Sequence, residues 1–243
     1  MHYNYNTQIF CETMHIMEGF LPWEWCLVWW IVSMPFLVLG ILGLRNIMKE
    51  NREYLPLLGA CGAFIFILSS LKLPSITGSC SHPTGTGLST ICFGVYVTSV
   101  IGAIVLLFQA LLLAHGGLSV LGANMVSMAI GGPFAGYAVY KTLKNTSISI
   151  YIIVFLTCVV ADLVTYIITA TQLALAYPAE IGGILWSLSA FLAIFAVTQI
   201  PLAIVEGCIL TLAFKYIIQL KPEILIKLKV FSEEQIKIAF YRG

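Results

Sequence analysis

The chain has four histidines, at positions 2, 15, 82 and 115, and two of them sit where they can do chemistry. His15 follows an internal methionine in CETMHIMEGFLP, Cys11 to Pro22. If the mature chain begins at Met14, its free α-amine, the backbone nitrogen of His15 and the His15 imidazole are three nitrogens joined by short covalent paths. They can chelate one metal ion. Displacing the amide proton demands a late first-row ion, because affinity for nitrogen donors rises toward Co, Ni and Cu, and Ni(II) and Cu(II) favour tetragonal geometry. His82 lies in TGSCSHPTGTG, Thr77 to Gly87, a loop without Lys or Arg in which Pro83 biases His82 toward an extended conformation. Its imidazole can fill the fourth position. Binding of this kind weakens at low pH, since amine and imidazole must be deprotonated.

The remaining polar residues read differently. His2 lies in the first 13 residues and His115 in an AHGG turn after a long apolar run, where a structural role at a helix end is expected. Met17 and Glu18 are expected beside the site rather than in it. Leaving Glu24 aside, Asp162 and Glu206 are the carboxylates inside the apolar segments. Each costs about 2.5–3.5 kcal/mol at a helix centre on insertion scales, so each is either an interhelical clamp or part of an ion path. Gln109, Asn124, Gln172 and Gln199 read as interhelical hydrogen-bonding residues. The small residues of LGACGAF (Leu58 to Phe64) and GGPFAG (Gly131 to Gly136) permit close helix approach.

The elements that must position these groups are membrane helices. Of the 243 residues, 60% are hydrophobic and only 9% charged, with a mean hydropathy of +0.97. Soluble chains carry roughly 25% charged residues, and apolar runs of about 18 or more can cross a bilayer. The fold class is therefore all-α, a polytopic membrane bundle. Apolar segments run over 23–44, 55–73, 88–114, 118–140, 148–176 and 184–218. The last is long enough for two crossings, with a break or kink expected at Pro201. No Lys or Arg occurs in the first 44 residues, whereas Arg45, Lys49 and Arg52 fill the first loop and Lys215, Lys221, Lys227 and Lys229 flank the end. The positive-inside rule then puts the N-terminus outside and the C-terminus in the cytoplasm, which requires an odd number of crossings, about seven. Lys141 and Lys144 fall on the wrong side of this scheme unless 88–140 holds an extra short or re-entrant pass.

Three regions follow: 1–13, an extension that is non-native or cleaved; 14–220, the membrane metal-capture domain; and 221–243, a cytoplasmic tail with Ser232 and Gln235 at capping-box spacing. The extension has neither the basic start nor the apolar run of a secretory signal. The seven cysteines are scattered without a CxxC and read as reduced packing residues. A net charge of +1 without a basic cluster gives no case for nucleic acid. There is no GxxxxGK[ST] and no HExxH, so neither P-loop ATP hydrolysis nor that class of metalloprotease is encoded.

Long stretches resemble one family. MHIMEGFLP at Met14, SSLKLPSITGSCSHPTGTGLS at Ser69, VLLFQALLLAHGGLSVLGANMVSMAIGGP at Val105, ADLVTYIITATQLALAYP at Ala161 and FAVTQIPLAIVEG at Phe195 are similar to the CbiM/NikM substrate-binding components of energy-coupling factor transporters for cobalt and nickel. The wording is closer to the cobalt branch, which supplies cobalamin synthesis. The resemblance implies a non-enzymatic capture subunit that binds Co(II) at the outer face of the cell membrane as substrate, with no permanent cofactor. It implies partners in the same membrane: a CbiQ-like coupling protein, a small CbiN-like accessory protein and CbiO-like ABC-type ATPases. It also implies a metal site of Met14, His15 and His82. An uncleaved peptide bond at Met14 would abolish the amine ligand. The alternatives are the same role for nickel, a stand-alone ion-coupled metal carrier using Asp162 and Glu206, and a membrane metalloenzyme.

Overall fold

The computed structural model describes residues 12–13, 15–74 and 79–242. Met14, the first eleven residues, 75–78 and Gly243 lie outside them. The architecture is a helix bundle: α1 (Trp23–Glu50), α2 (Leu55–Ser69), α3 (Thr86–Leu113), α4 (Leu121–Asn124), a π-helical segment (Met125–Gly131), α5 (Gly132–Leu143), α6 (Ile150–Ala176), α7 (Gly183–Leu220), and the short α8 (Pro222–Lys227) and α9 (Glu233–Arg242). Five stretches, α1, α2 with the turn before it, α3, α6 and α7, are long and apolar enough to cross a membrane. Residues 121–143 form a further unbroken helical run beside these five. Large apolar side chains such as Trp23, Ile31, Leu112 and Leu185 point outward. In water that surface would be costly, whereas in lipid it is solvated, so the protein is a multi-pass membrane protein.

One helix is continuous only in sequence. At Gly94 the backbone takes φ 77°, ψ 174°, a region essentially restricted to glycine. Ser89 Oγ and Thr98 Oγ1 lie 2.9 Å apart, although nine residues of straight helix would separate them by about 13.5 Å. The two arms of α3, 86–93 and 95–113, therefore fold back on each other. The short arm falls at the start of 88–140, the stretch where an extra short or re-entrant segment was expected. The 184–218 stretch, conversely, does not divide. It is one helix through Pro201, because the missing proline donor interrupts a single i→i−4 bond and transmembrane helices tolerate such an interruption.

The ends of the bundle differ in character. Lys227 pairs with Glu53 at 2.7 Å, Lys144 Nζ donates to Lys229 O at 3.3 Å, and Gln235 donates to Lys144 O at 2.9 Å. The basic loops thus share one end. His15, His82 and His115 gather beside the loop that enters α3 and the turn that leaves it, with His15 just before the start of α1 and the first basic loop at the far end of that helix. The tail is more than a solvated segment: Leu225, Val230, Phe231, Ile236 and Ala239 are buried, and the Tyr140 and Tyr151 hydroxyls donate to the carbonyls of Val230 and Ala239. The capping box forms, with Ser232 N donating to Gln235 Oε1 at 3.0 Å and Gln235 N to Ser232 Oγ at 3.2 Å.

The small-residue segment 131–136 does what its composition suggests. A Cβ on Gly132 would lie 2.6 Å from Ala161 O, and one on Gly136 2.9 Å from Thr157 O, so glycine here lets α5 approach the backbone of α6.

Candidate metal centre

Three strands of two or three residues bring the sequence-distant histidines together. β1 (Glu12–Thr13) pairs parallel with β3 (Ser79–Ser81), and β2 (Leu73–Pro74) pairs antiparallel on its other side. Because β1 ends two residues before His15 and β3 ends directly before His82, parallel pairing delivers both to the same place. Their ring centroids are 4.4 Å apart. The third imidazole is His115, with centroids 4.5 Å from His15 and 5.2 Å from His82. One ring nitrogen from each of the three lies within 4.8 Å of the others. All three side chains are buried, at 2%, 1% and 1% exposure.

Two of the three rings have a hydrogen-bonding neighbour that sets the tautomer. His82 Nδ1 is 3.0 Å from Pro83 O, and a carbonyl oxygen only accepts, so Nδ1 carries the proton and Nε2 presents its lone pair. Nε2 has no hydrogen-bond partner among the described residues. His15 Nε2 lies 3.0 Å from the Met128 sulfur. A thioether cannot donate, so Nε2 carries the proton and the lone pair sits on Nδ1, the nitrogen nearest the backbone. That is the tautomer a chelate through the backbone nitrogen requires. Met128 is fully buried on the π-helical segment, and such bulges are often found at functional sites.

The main chain around His15 is held by Asn124, whose Oδ1 accepts from Ile16 N at 2.8 Å and whose Nδ2 donates to Ile16 O at 3.0 Å. Glu18 secures the turn that carries His115: its N–H donates to Gly116 O at 3.1 Å, and its carboxylate accepts from Ser119 N at 3.0 Å.

Burial keeps the imidazoles neutral. It pushes His82 down to about 4 and His115 to about 3, and His15 well below its ordinary value, with further lowering from His82 and His115. Neutral imidazoles are the ligand form. Three uncharged rings with converging nitrogens, two of them in assigned tautomers, can hold a late first-row divalent ion.

Of the expected site residues, the structure brings His15 and His82 together, and Met14 lies outside the described residues. His115 was expected only to end a helix. It does occupy such a turn, after Ala114 at φ 47°, but its ring also faces the other two. Its signal was weak because the AHGG sequence explains the turn by itself. Asp162 and Glu206 are not among the converging ligand atoms; the partners of Glu206 lie in the His82 loop, and Asp162 accepts from Gln199 of α7. The expected interhelical roles hold for Gln109, Gln172 and Gln199, which donate to Ser69 Oγ at 2.7 Å, Ala123 O at 3.0 Å and Asp162 Oδ2 at 2.6 Å, whereas Asn124 bonds the loop main chain at Ile16 instead of a second helix.

Residues 15–224 match the family model for the CbiM cobalt uptake substrate-specific transmembrane region. The chain belongs to the CbiM family. It is 75% identical to the CbiM 2 protein of Methanosphaerula palustris over 95% of this chain and 98% of that one. It is 55% identical to the cobalt transport protein CbiM of a Nostoc species, over 91% of this chain and 85% of that one. A crystal structure of a truncated transition metal transporter superposes with a TM-score of 0.66 at 26% identity, covering 84% of this chain and 97% of that one. The family match thus spans the segments that carry all three histidines.

Proposed function

We propose that this chain is the substrate-capture membrane component of an ATP-driven cobalt importer and that Co(II) is held at the histidine cluster. The observation that carries the reading is the convergence of three buried, neutral imidazoles at the end of the bundle away from the basic loops. With those loops in the cytoplasm, the cluster faces outward and the chain crosses from outside to inside in an odd number of passes. The in-plane donors are the Met14 amine, the backbone nitrogen and Nδ1 of His15, and Nε2 of His82, with His115 as a further donor. A chain that begins at Met14 lacks β1, and Asn124 and Met128 then retain His15. Binding there would release protons from the amine and the His15 amide.

Release to the cytoplasm would draw on CbiO-like ABC-type ATPases acting through a CbiQ-like coupling protein, with a CbiN-like accessory protein, and the ion would serve cobalamin synthesis. The chain itself performs no chemical conversion. The stand-alone carrier gains no support, since Glu206 is engaged by backbone amides and Asp162 by an amide side chain.

Co(II) titration tests the reading on three purified forms: the chain beginning at Met14, the same chain with one residue added before Met14, and His82→Ala. The added residue and the His82 variant should both lose tight one-to-one binding. Parental affinity in both would sink the site.

A further inference from the structure

Asp162 on α6 and Glu206 on α7 are fully buried, and capture as described above makes no use of them. Their contacts lead back to His82. Glu206 accepts from Thr84 N, from Gly85 N at 2.9 Å and from the Thr84 hydroxyl at 3.0 Å. Gln199, two turns earlier on α7, donates to His82 O at 3.3 Å and to Asp162 Oδ2 at 2.6 Å. Next to it, Thr198 Oγ1 lies 2.7 Å from Ser81 Oγ. One face of α7 therefore grips residues 81, 82, 84 and 85, on both sides of Pro83. The opposite half of the cluster hangs on other elements, with His15 on Asn124 of α4 and on Met128.

We propose that Glu206, together with Gln199, is a positioning residue for metal capture, holding the His82 loop so that its imidazole meets His15, and that α7 carries the His82 half of the site. The physical case rests on what a carboxylate adds. A buried charge at this depth is costly, and here it is offset by two backbone amides and a hydroxyl at the start of the 86–93 arm, where unpaired N–H groups converge. A hydroxyl or amide side chain could satisfy one such donor. Two oxygens on one rigid group fix two successive amides and leave the preceding residues little freedom. Gly85, at φ 72°, lets the loop lie against α2, where a Cβ would stand 2.9 Å from Ile65 Cα and from Phe64 O. Asp162 orients Gln199 by accepting its amide, so that the same group reaches His82 O. A displacement of α7 relative to α4 would draw the two imidazoles apart, which gives the capture site a route to release.

The inference rests on His82 being a metal donor, and the test separates the two claims. The full chain in its Co(II)-binding form is compared with Glu206→Gln, Gln199→Leu and His82→Ala by three readings: the cobalt d–d absorption spectrum, the rate of Co(II) loss to a chelator, and the melting of the metal-free protein. Gln at 206 turns one oxygen into an NH2 facing a backbone donor, and Leu at 199 removes the donor to His82 O. Both should shift the spectrum and speed Co(II) loss by about tenfold or more, the scale for groups that orient a metal ligand. Melting reports fold integrity separately. If Glu206→Gln does not fold, Gln199→Leu and Glu206→Asp carry the same reading. Parental spectrum and release rate in the folded variants, whatever their melting, would overturn the positioning role. Parental binding in His82→Ala would overturn the capture site and this inference with it.

Discussion

Replacing His115 with leucine should move stability and metal binding in opposite directions. Both ring nitrogens of His115 lack a hydrogen-bond partner among the described residues, and the side chain is 1% exposed. Leaving a buried polar group unsatisfied costs about 1–3 kcal/mol, a burden the metal-free protein carries. Leucine is close to histidine in volume, and a swap that conserves volume costs less than about 1.5 kcal/mol, so the metal-free His115→Leu protein should be as stable as the parent or more so. Binding should suffer. Loss of a group that ligates or orients lowers metal affinity by about 10–100-fold, equivalent to about 1.4–2.8 kcal/mol. Denaturation of the metal-free protein in detergent, followed by tryptophan fluorescence, gives the first quantity and Co(II) titration the second. A variant that is less stable yet binds Co(II) like the parent would show that His115 serves only its turn, and the reasoning would be refuted.

Met128→Leu should keep the fold, since the two side chains are nearly isosteric, but weaken Co(II) binding by about tenfold. Nitrogen-15 imidazole spectra of the metal-free protein should then show His15 losing its fixed Nε2–H tautomer, and an unchanged tautomer would contradict the assignment. Gly94→Ala should destabilise the protein by about 1–3 kcal/mol, because φ 77° with ψ 174° is closed to residues bearing a Cβ; a neutral effect in a denaturation curve would refute the fold-back of α3. The pH dependence has a definite sign. Burial lowers His82 from 6.5 to about 4 and His115 from 6.5 to about 3, so the unfolded chain takes up protons first as pH falls. The metal-free protein should hold the stability contributed by these groups above pH 6.5 and lose it progressively toward pH 4. Melting across that range should show a smaller loss in His82→Ala than in the parent.

What the sequence revealed depended on how local the cause was. Membrane class follows from composition, the Ser232–Gln235 cap from a spacing of three, and the pairing of His15 with His82 from the scarcity of other imidazoles on that side. The reversal at Gly94 was hidden because 88–114 reads as one unbroken apolar run, and a single glycine carries the whole change of direction. Its one trace in the sequence was the conflict that Lys141 and Lys144 made with the expected sidedness. His115 was missed because its local turn accounted for it, while its approach to the other rings depends on that same reversal. Glu206 stood out as costly, but its partners, Thr84 and Gly85, lie more than a hundred residues earlier and donate through backbone atoms that no sequence pattern marks. The break expected at Pro201 does not occur, since a proline in lipid-embedded helix need not end it.

The central claim concerns which atoms surround the ion, and cobalt K-edge X-ray absorption of the Co(II)-loaded chain beginning at Met14 reads that directly. The account predicts a first shell of four or five nitrogens with the multiple-scattering pattern of at least two imidazoles and no sulfur, since Met128 accepts from His15 rather than binding metal. A shell containing sulfur, or one built of oxygens without imidazole, would contradict it.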